Sequence, residues 1–229
     1  MKTIGLLGGM SWESSIEYER ILNEEVRHRL GGVHSADLIL RSYDFAEIEA
    51  MQQTGDWEAA GRRLAADALQ LERAGADLVV LCTNTMHEVA EAIETALSVP
   101  LLHIADPTAD AVLAAGLRKV ALLGTRYTME RDFYAARLAK RGLEIVIPQE
   151  PDRTMIHEVI FDELVQGVIA PASQRAYVDA IERLVEGGAE GVIAGCTEIE
   201  LLVGPEDVDV PYFPTTRLHA LAAVDFALQ

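Results

Sequence analysis

Two short polar turns hold the residues whose types could do chemistry: Cys82-Thr83-Asn84-Thr85-Met86-His87 in the first half and Gly195-Cys196-Thr197-Glu198 in the second. Each follows an apolar run of strand length, and each is expected to lead into a helix. Parallel sheets bind ligands at the carboxyl ends of their strands. The N–H groups at a helix start favour a carboxylate, and Asn or Thr side chains there add donors. A thiol at such a start is expected to have a lowered pKa and to serve as a proton-transfer base. A lone strand-end cysteine is ordinarily an inert core thiol. The balance shifts because both cysteines of the chain sit at the same step of a recurring turn.

That recurrence extends well beyond the turns. Residues 73–85, RAGADLVVLCTNT, align without gaps on residues 186–198, EGGAEGVIAGCTE, which sets Gly75 on Gly188 and Thr83, not Cys82, on Cys196. Lys119-Val120-Ala121-Leu122-Leu123-Gly124 echoes the opening Lys2 to Gly8, and Val99-Pro100-Leu101 recurs as Val210-Pro211-Tyr212. The chain reads as a duplication with halves of about small-domain size. Neighbouring side chains in a strand face opposite ways, so Cys82 is expected to point into a core.

The elements that must position these turns alternate in period. Thr3 to Leu7, Ala36 to Leu40 and Leu78 to Leu81 read as strands, and Ser14 to Leu30, Trp57 to Ala74 and Met86 to Leu97 as helices. Helical segments follow at Arg131 to Lys140 and Thr154 to Val168, with a last helix from Thr216 to Leu228. This βαβα order predicts an α/β protein with two similar parallel-sheet domains related by a pseudo-twofold axis. The expected division is residues 1–98 plus 211–229 and residues 99–210.

Composition removes several function classes. With 19 Lys and Arg against 37 Asp and Glu, the formal charge of −18 offers no basic footprint for nucleic acid or an anionic membrane. The opening apolar run is too short for a signal or membrane segment, and two unpaired cysteines suit a reducing compartment, so a cytoplasmic protein is expected. Gly5 to Met10 does not have the dinucleotide spacing G-x-G-x-x-G, and its turn is read as backbone approaching a small ligand. The six histidines show no metal-ligand spacing, so no metal is expected; His87 is read as structural or as a support behind the site.

Gly8-Gly9-Met10, Thr83-Asn84-Thr85, Gly124-Thr125 and Gly195-Cys196-Thr197-Glu198 together resemble the aspartate/glutamate racemase family across almost the whole chain. The resemblance implies an amino-acid racemase without pyridoxal phosphate or another cofactor, working in a cleft between two α/β halves. One group takes the substrate α-proton and another returns a proton to the opposite face, in a preorganised, water-poor site. Cys196 and Thr83 are the implied catalytic pair, with Met10, Gln52, Asn84, Thr85, Thr197 and Glu198 lining the substrate pocket. Glu198 is similar to the aspartate and broad-specificity branch. The family has a thiol where Thr83 stands, and aspartate racemases have an Arg and a Lys near the places of Gln52 and Val165, so a small polar amino acid such as aspartate, glutamate or a neutral analogue is expected. The expected partner is that small molecule, and pairing into a homodimer is left open. A related carbanion isomerase of the hydantoin racemase or maleate isomerase type, or a decarboxylase, is the alternative enzyme. An amino-acid-binding module derived from a racemase, or a two-cysteine redox protein, are the others.

Overall fold

A computed structural model describes all 229 residues. In chain order the elements are β1 (Ile4–Gly8), α1 (Trp12–Leu30), β2 (Leu38–Ser42), α2 (Phe45–Thr54), α3 (Trp57–Arg73), β3 (Leu78–Leu81), α4 (Ala90–Ala96) and β4 (Leu101–Leu102). They continue with α5 (Ala105–Ala114), β5 (Lys119–Gly124), α6 (Arg126–Glu130), α7 (Asp132–Ala139), β6 (Glu144–Val146), α8 (Asp152–Asp162) and α9 (Pro171–Glu186). The last are β7 (Val192–Gly195), α10 (Ile199–Leu202), β8 (Tyr212–Pro214) and α11 (Thr215–Ala227). No helix is long and apolar enough to cross a membrane.

Two four-stranded parallel sheets form, in the orders β2-β1-β3-β4 and β6-β5-β7-β8, so the duplication seen in sequence is a duplication of topology. Leu7 pairs with Leu81 in the first sheet and Leu123 with Ala194 in the second, which sets Leu81 and Ala194 at equivalent positions as the gapless alignment requires. Gly75 and Gly188 both take positive φ, at 107° and 93°, where a helix must turn back into a buried strand.

The chain divides into two compact units, Met1–Ile104 with His219–Gln229, and Ala105–Leu218. These boundaries fall later than the expected 98/99 and 210/211. β4 pairs with β3 and so belongs to the first sheet, and β8 pairs with β7 and belongs to the second, so each crossing comes after the strand.

In the first unit strand alternation sorts the core into two faces. Ile4, Leu6, Leu78, Val80 and Cys82 pack with Tyr18, Leu22 and Val26 of α1 and with Ala220, Ala223 and Val224 of α11. Leu7, Val79 and Leu81 turn to the other face, against Ile48, Leu64, Leu71, Met86 and Ile93. Each fully buried Leu, Ile or Val adds about 1.5–3 kcal/mol of transfer free energy. α1 begins where Ser11 accepts a hydrogen bond from the Ser14 amide, and its buried stripe repeats at Tyr18, Ile21, Leu22 and Val26. In the second unit Ala121, Leu123, Val192, Ala194 and Cys196 pack against Ile156, Ile160, Tyr177 and Ile181.

Where a single helix from Met86 to Leu97 was expected, the segment is a 3-10 turn over Thr85–Val89 followed by α4. The segment from Thr154 to Val168 likewise divides into α8 and a 3-10 turn at Leu164–Gln166, closed by Gly167 in a left-handed conformation.

Candidate active site

In the first unit the candidate residues follow the carboxyl ends of the strands. Gly9 follows β1 with φ +82°, and a Cβ there would collide with the backbone of Tyr43. Its amide donates to Ser15 Oγ at 2.6 Å, while the Ser14 and Ser15 hydroxyls donate to the Ser11 carbonyl at 3.0 and 3.1 Å. The turn is therefore fixed before Met10, whose buried side chain shares the core cluster of Tyr43 and Met86. Gln52, on α2, is buried and donates from Nε2 to Met86 Sδ at 3.1 Å. Thr83, Asn84 and Thr85 follow β3, each buried. Gln52 is thus tied to the Thr83-Asn84-Thr85 turn through Met86, and Met10 lies in the same core cluster as Met86.

Cys82 is fully buried on the α1 and α11 face, with Sγ 3.8 Å from the Val80 carbonyl oxygen. Burial pushes its thiol far above the ordinary range. Thr83, one residue on, is 7% exposed.

In the second unit Cys196, Thr197 and Glu198 follow β7, all buried. One carboxylate oxygen, Glu198 Oε2, accepts from Cys196 Sγ at 2.9 Å and from Thr197 Oγ1 at 2.7 Å. The expectation of a lowered Cys196 pKa is overturned. Burial first, and then the Glu198 charge and its hydrogen bond, raise the thiol well above its ordinary value. The amides of Glu198 and Ile199 pull downward, as a helix start should, but they lose. α10 spans only Ile199–Leu202, too short for a sizeable dipole. The resting species is the thiol, a proton donor.

Val165 lies in the 3-10 turn after α8 and packs, half-buried, against the second unit's core. Thr125 caps α6, accepting at Oγ1 from the Thr128 amide at 3.3 Å. No group of three or more His, Cys, Asp or Glu is arranged to hold a metal ion.

Two candidates that the sequence pattern did not single out are Thr215 and Thr216, which follow β8 at the same edge as Cys196. Thr215 donates to the Ala194 carbonyl at 2.7 Å, the Thr216 amide donates to Glu200 at 2.8 Å, and Thr216 Oγ1 is buried without a partner. The recurrence of Val99-Pro100 as Val210-Pro211 was the available signal, since it marks a strand whose carboxyl end faces the same way.

Residues 7–223 match the model of the Asp/Glu/hydantoin racemase family. A Yersinia pestis protein presented as a candidate Asp/Glu racemase is 51% identical with a TM-score of 0.93, each chain covered in full. An aspartate racemase homologue from Pyrococcus horikoshii is 36% identical with a TM-score of 0.87, again over all of both chains. The broad-specificity amino-acid racemase RacX of Bacillus subtilis is 26% identical over 164 residues, covering 69% of this chain and 67% of that one.

Proposed function

We propose that this chain, which belongs to the Asp/Glu/hydantoin racemase family, interconverts L- and D-amino acids by moving the α-proton through Cys196 on one side of the substrate and Thr83 on the other. The observation that carries the reading is the Cys196 thiol held 2.9 Å from the Glu198 carboxylate at the end of β7. As an acid, the thiol gives its proton to the carbanion. As a base, it first passes that proton to Glu198 and then takes the α-hydrogen as thiolate. Thr83 is a much poorer base, because its hydroxyl is hardly ionised near neutral pH. The equilibrium between enantiomers is unity, so kcat/KM must match in the two directions; the asymmetry falls on kcat and KM separately.

The substrate class is a small polar amino acid. The names of the Pyrococcus and Bacillus relatives support aspartate or a broader set. Gln52 supports a neutral hydrogen-bonding side chain as well, because it offers an amide where a cation would demand a carboxylate. Met10, Asn84, Thr85 and Thr197 would supply the remaining contacts. The two free cysteines support an enzyme of a reducing compartment such as the cytoplasm.

Two measurements test this. Purified protein, without added pyridoxal phosphate, should racemise at least one of aspartate, glutamate or homoserine in a chiral assay. Cys196→Ala should abolish Cα–H exchange into deuterated solvent while ligand binding persists, and retained exchange would reject Cys196 as the working thiol. A second reading follows from Thr83 itself: one thiol is enough to protonate a carbanion formed by losing something other than the α-proton. Product formation without Cα exchange would select that reading.

A further inference from the structure

His87 lies in the 3-10 turn just past Thr83 and is 2% exposed. Its Nδ1 is 2.8 Å from the Thr83 carbonyl oxygen, and its Nε2 is 3.1 Å from the Ile104 amide nitrogen. Because a backbone N–H can only donate, Nε2 must carry the lone pair. Because a carbonyl can only accept, Nδ1 must carry the proton. One tautomer satisfies both contacts, the neutral ring protonated at Nδ1. A second proton on Nε2 would break the Ile104 bond.

The ring therefore works as a clamp between two strand ends. On one side is the peptide of Thr83, at a sharp turn where the Thr83 amide already folds back to the Leu81 carbonyl at 2.9 Å. On the other is Ile104, just past β4 and the last residue before the chain leaves the first unit. That strand end is held again from below: His219 Nε2 lies 2.8 Å from the Leu102 carbonyl oxygen, and its Nδ1 is 2.8 Å from the Tyr18 hydroxyl. The His103 ring packs 4.4 Å from that of His87. With the Thr83 amide bonded to Leu81 and its carbonyl bonded to the imidazole, both peptides that flank the Thr83 Cα are restrained, and with them the base of the Thr83 side chain.

We propose that His87 is a positioning residue for the proton transfer at residue 83, acting through the Thr83 carbonyl. The proposal rests on the racemase reading above. It is separable by variants that keep one of the two contacts. In His87→Asn the amide nitrogen falls near the place of Nδ1 and can still donate to Thr83. In His87→Gln the amide oxygen falls near the place of Nε2 and can still accept from Ile104.

The experiment measures kcat and KM for Cα exchange with both enantiomers, together with the melting temperature, for the parent protein, the two variants and Cys196→Ala. His87→Gln should lose kcat by roughly 10- to 100-fold, the scale of removing a support behind a reacting group, with KM nearly unchanged, while His87→Asn recovers most of it. A long-range 1H–15N spectrum should show the His87 ring protonated at Nδ1 only. Equal losses in both variants, no loss in either, or a ring protonated at Nε2 would overturn the proposal. If Cys196→Ala itself still exchanges, the racemase site is wrong; if it is dead while His87→Gln keeps full kcat, only the role of His87 falls.

Discussion

The Cys196 thiol and the Glu198 carboxylate form a buried hydrogen-bonded pair at 2.9 Å, and the carboxylate holds the proton on sulfur. Replacing Glu198 by Gln keeps an acceptor and removes the charge, so the thiolate is less disfavoured. Glu198→Gln should therefore speed alkylation of Cys196 by iodoacetamide at about pH 8, near the ordinary thiol range, with the modified residue identified by peptide mass mapping. The same change should slow Cα exchange, because the proposed holder of the thiol proton is gone. Unchanged or slower alkylation would show that the charge is not what holds the proton.

Alkaline pH should weaken the fold. Cys82 and Cys196 are both raised by burial above an ordinary value of 9.0, and Tyr43, Tyr134, Tyr177 and Tyr212 above 10.0. A group whose folded pKa is raised stays protonated when the unfolded chain ionises. The unfolded state then binds fewer protons, and stability falls as pH rises from the unfolded value toward the folded one, by up to about 1.4 kcal/mol per pH unit per group. Melting temperature should hold up to about pH 8.5 and drop above 9. Cys82→Ala should make that drop shallower while costing about 1 kcal/mol at neutral pH through lost packing. An identical alkaline slope in the variant would contradict the linkage.

Thr83→Cys should raise turnover by about 10²- to 10⁴-fold from the slow direction, the usual value of a well-matched acid or base. Measuring kcat for both enantiomers beside the melting temperature separates this gain from the packing effect of Cys82→Ala. Loss of activity in a folded Cys82→Ala protein, with no gain from Thr83→Cys, would move the second acid to Cys82.

Two glycines with positive φ separate strain from collision. Gly55→Ala, at φ +70° with nothing near the added Cβ, should cost about 1–2 kcal/mol of backbone strain. Gly9→Ala adds a collision with Tyr43 and should cost roughly 2 kcal/mol more, with weaker substrate binding. Urea midpoints of the two variants decide it; equal losses would mean that the Tyr43 backbone moves aside freely.

Much of this was legible because it rests on periodicity and repetition. The alignment that set Gly75 on Gly188 also set Leu81 on Ala194, and the register of the two sheets agrees with it; alternation along Leu78 to Leu81 predicted that Cys82 turns into a core. The pKa of Cys196 was not legible, because it depends on where the Glu198 carboxylate swings, and a side-chain torsion leaves no mark in residue order. β4, β6 and β8 have two or three residues each, too few to show a period. α9 carries its own limits in the sequence, with Pro171 at its first turn and Gly187 at its end. The partnership of His87 with Ile104 joins positions 17 apart through a backbone amide, which no side-chain pattern reports.

α11 follows the whole second unit in sequence, yet Ala220, Ala223 and Val224 cover the first sheet, and the Lys2 amide donates to the Ala227 carbonyl at 2.8 Å. During synthesis the second unit is continuous from Ala105 to Leu218 and can close as soon as it emerges from the ribosome. α1 can pack on Ile4, Leu6 and Val80 early, but the part of that face that Ala220, Ala223 and Val224 cover stays open until α11 emerges. The second unit can thus close before the first is complete, and the exposed interval falls on the half that carries Thr83.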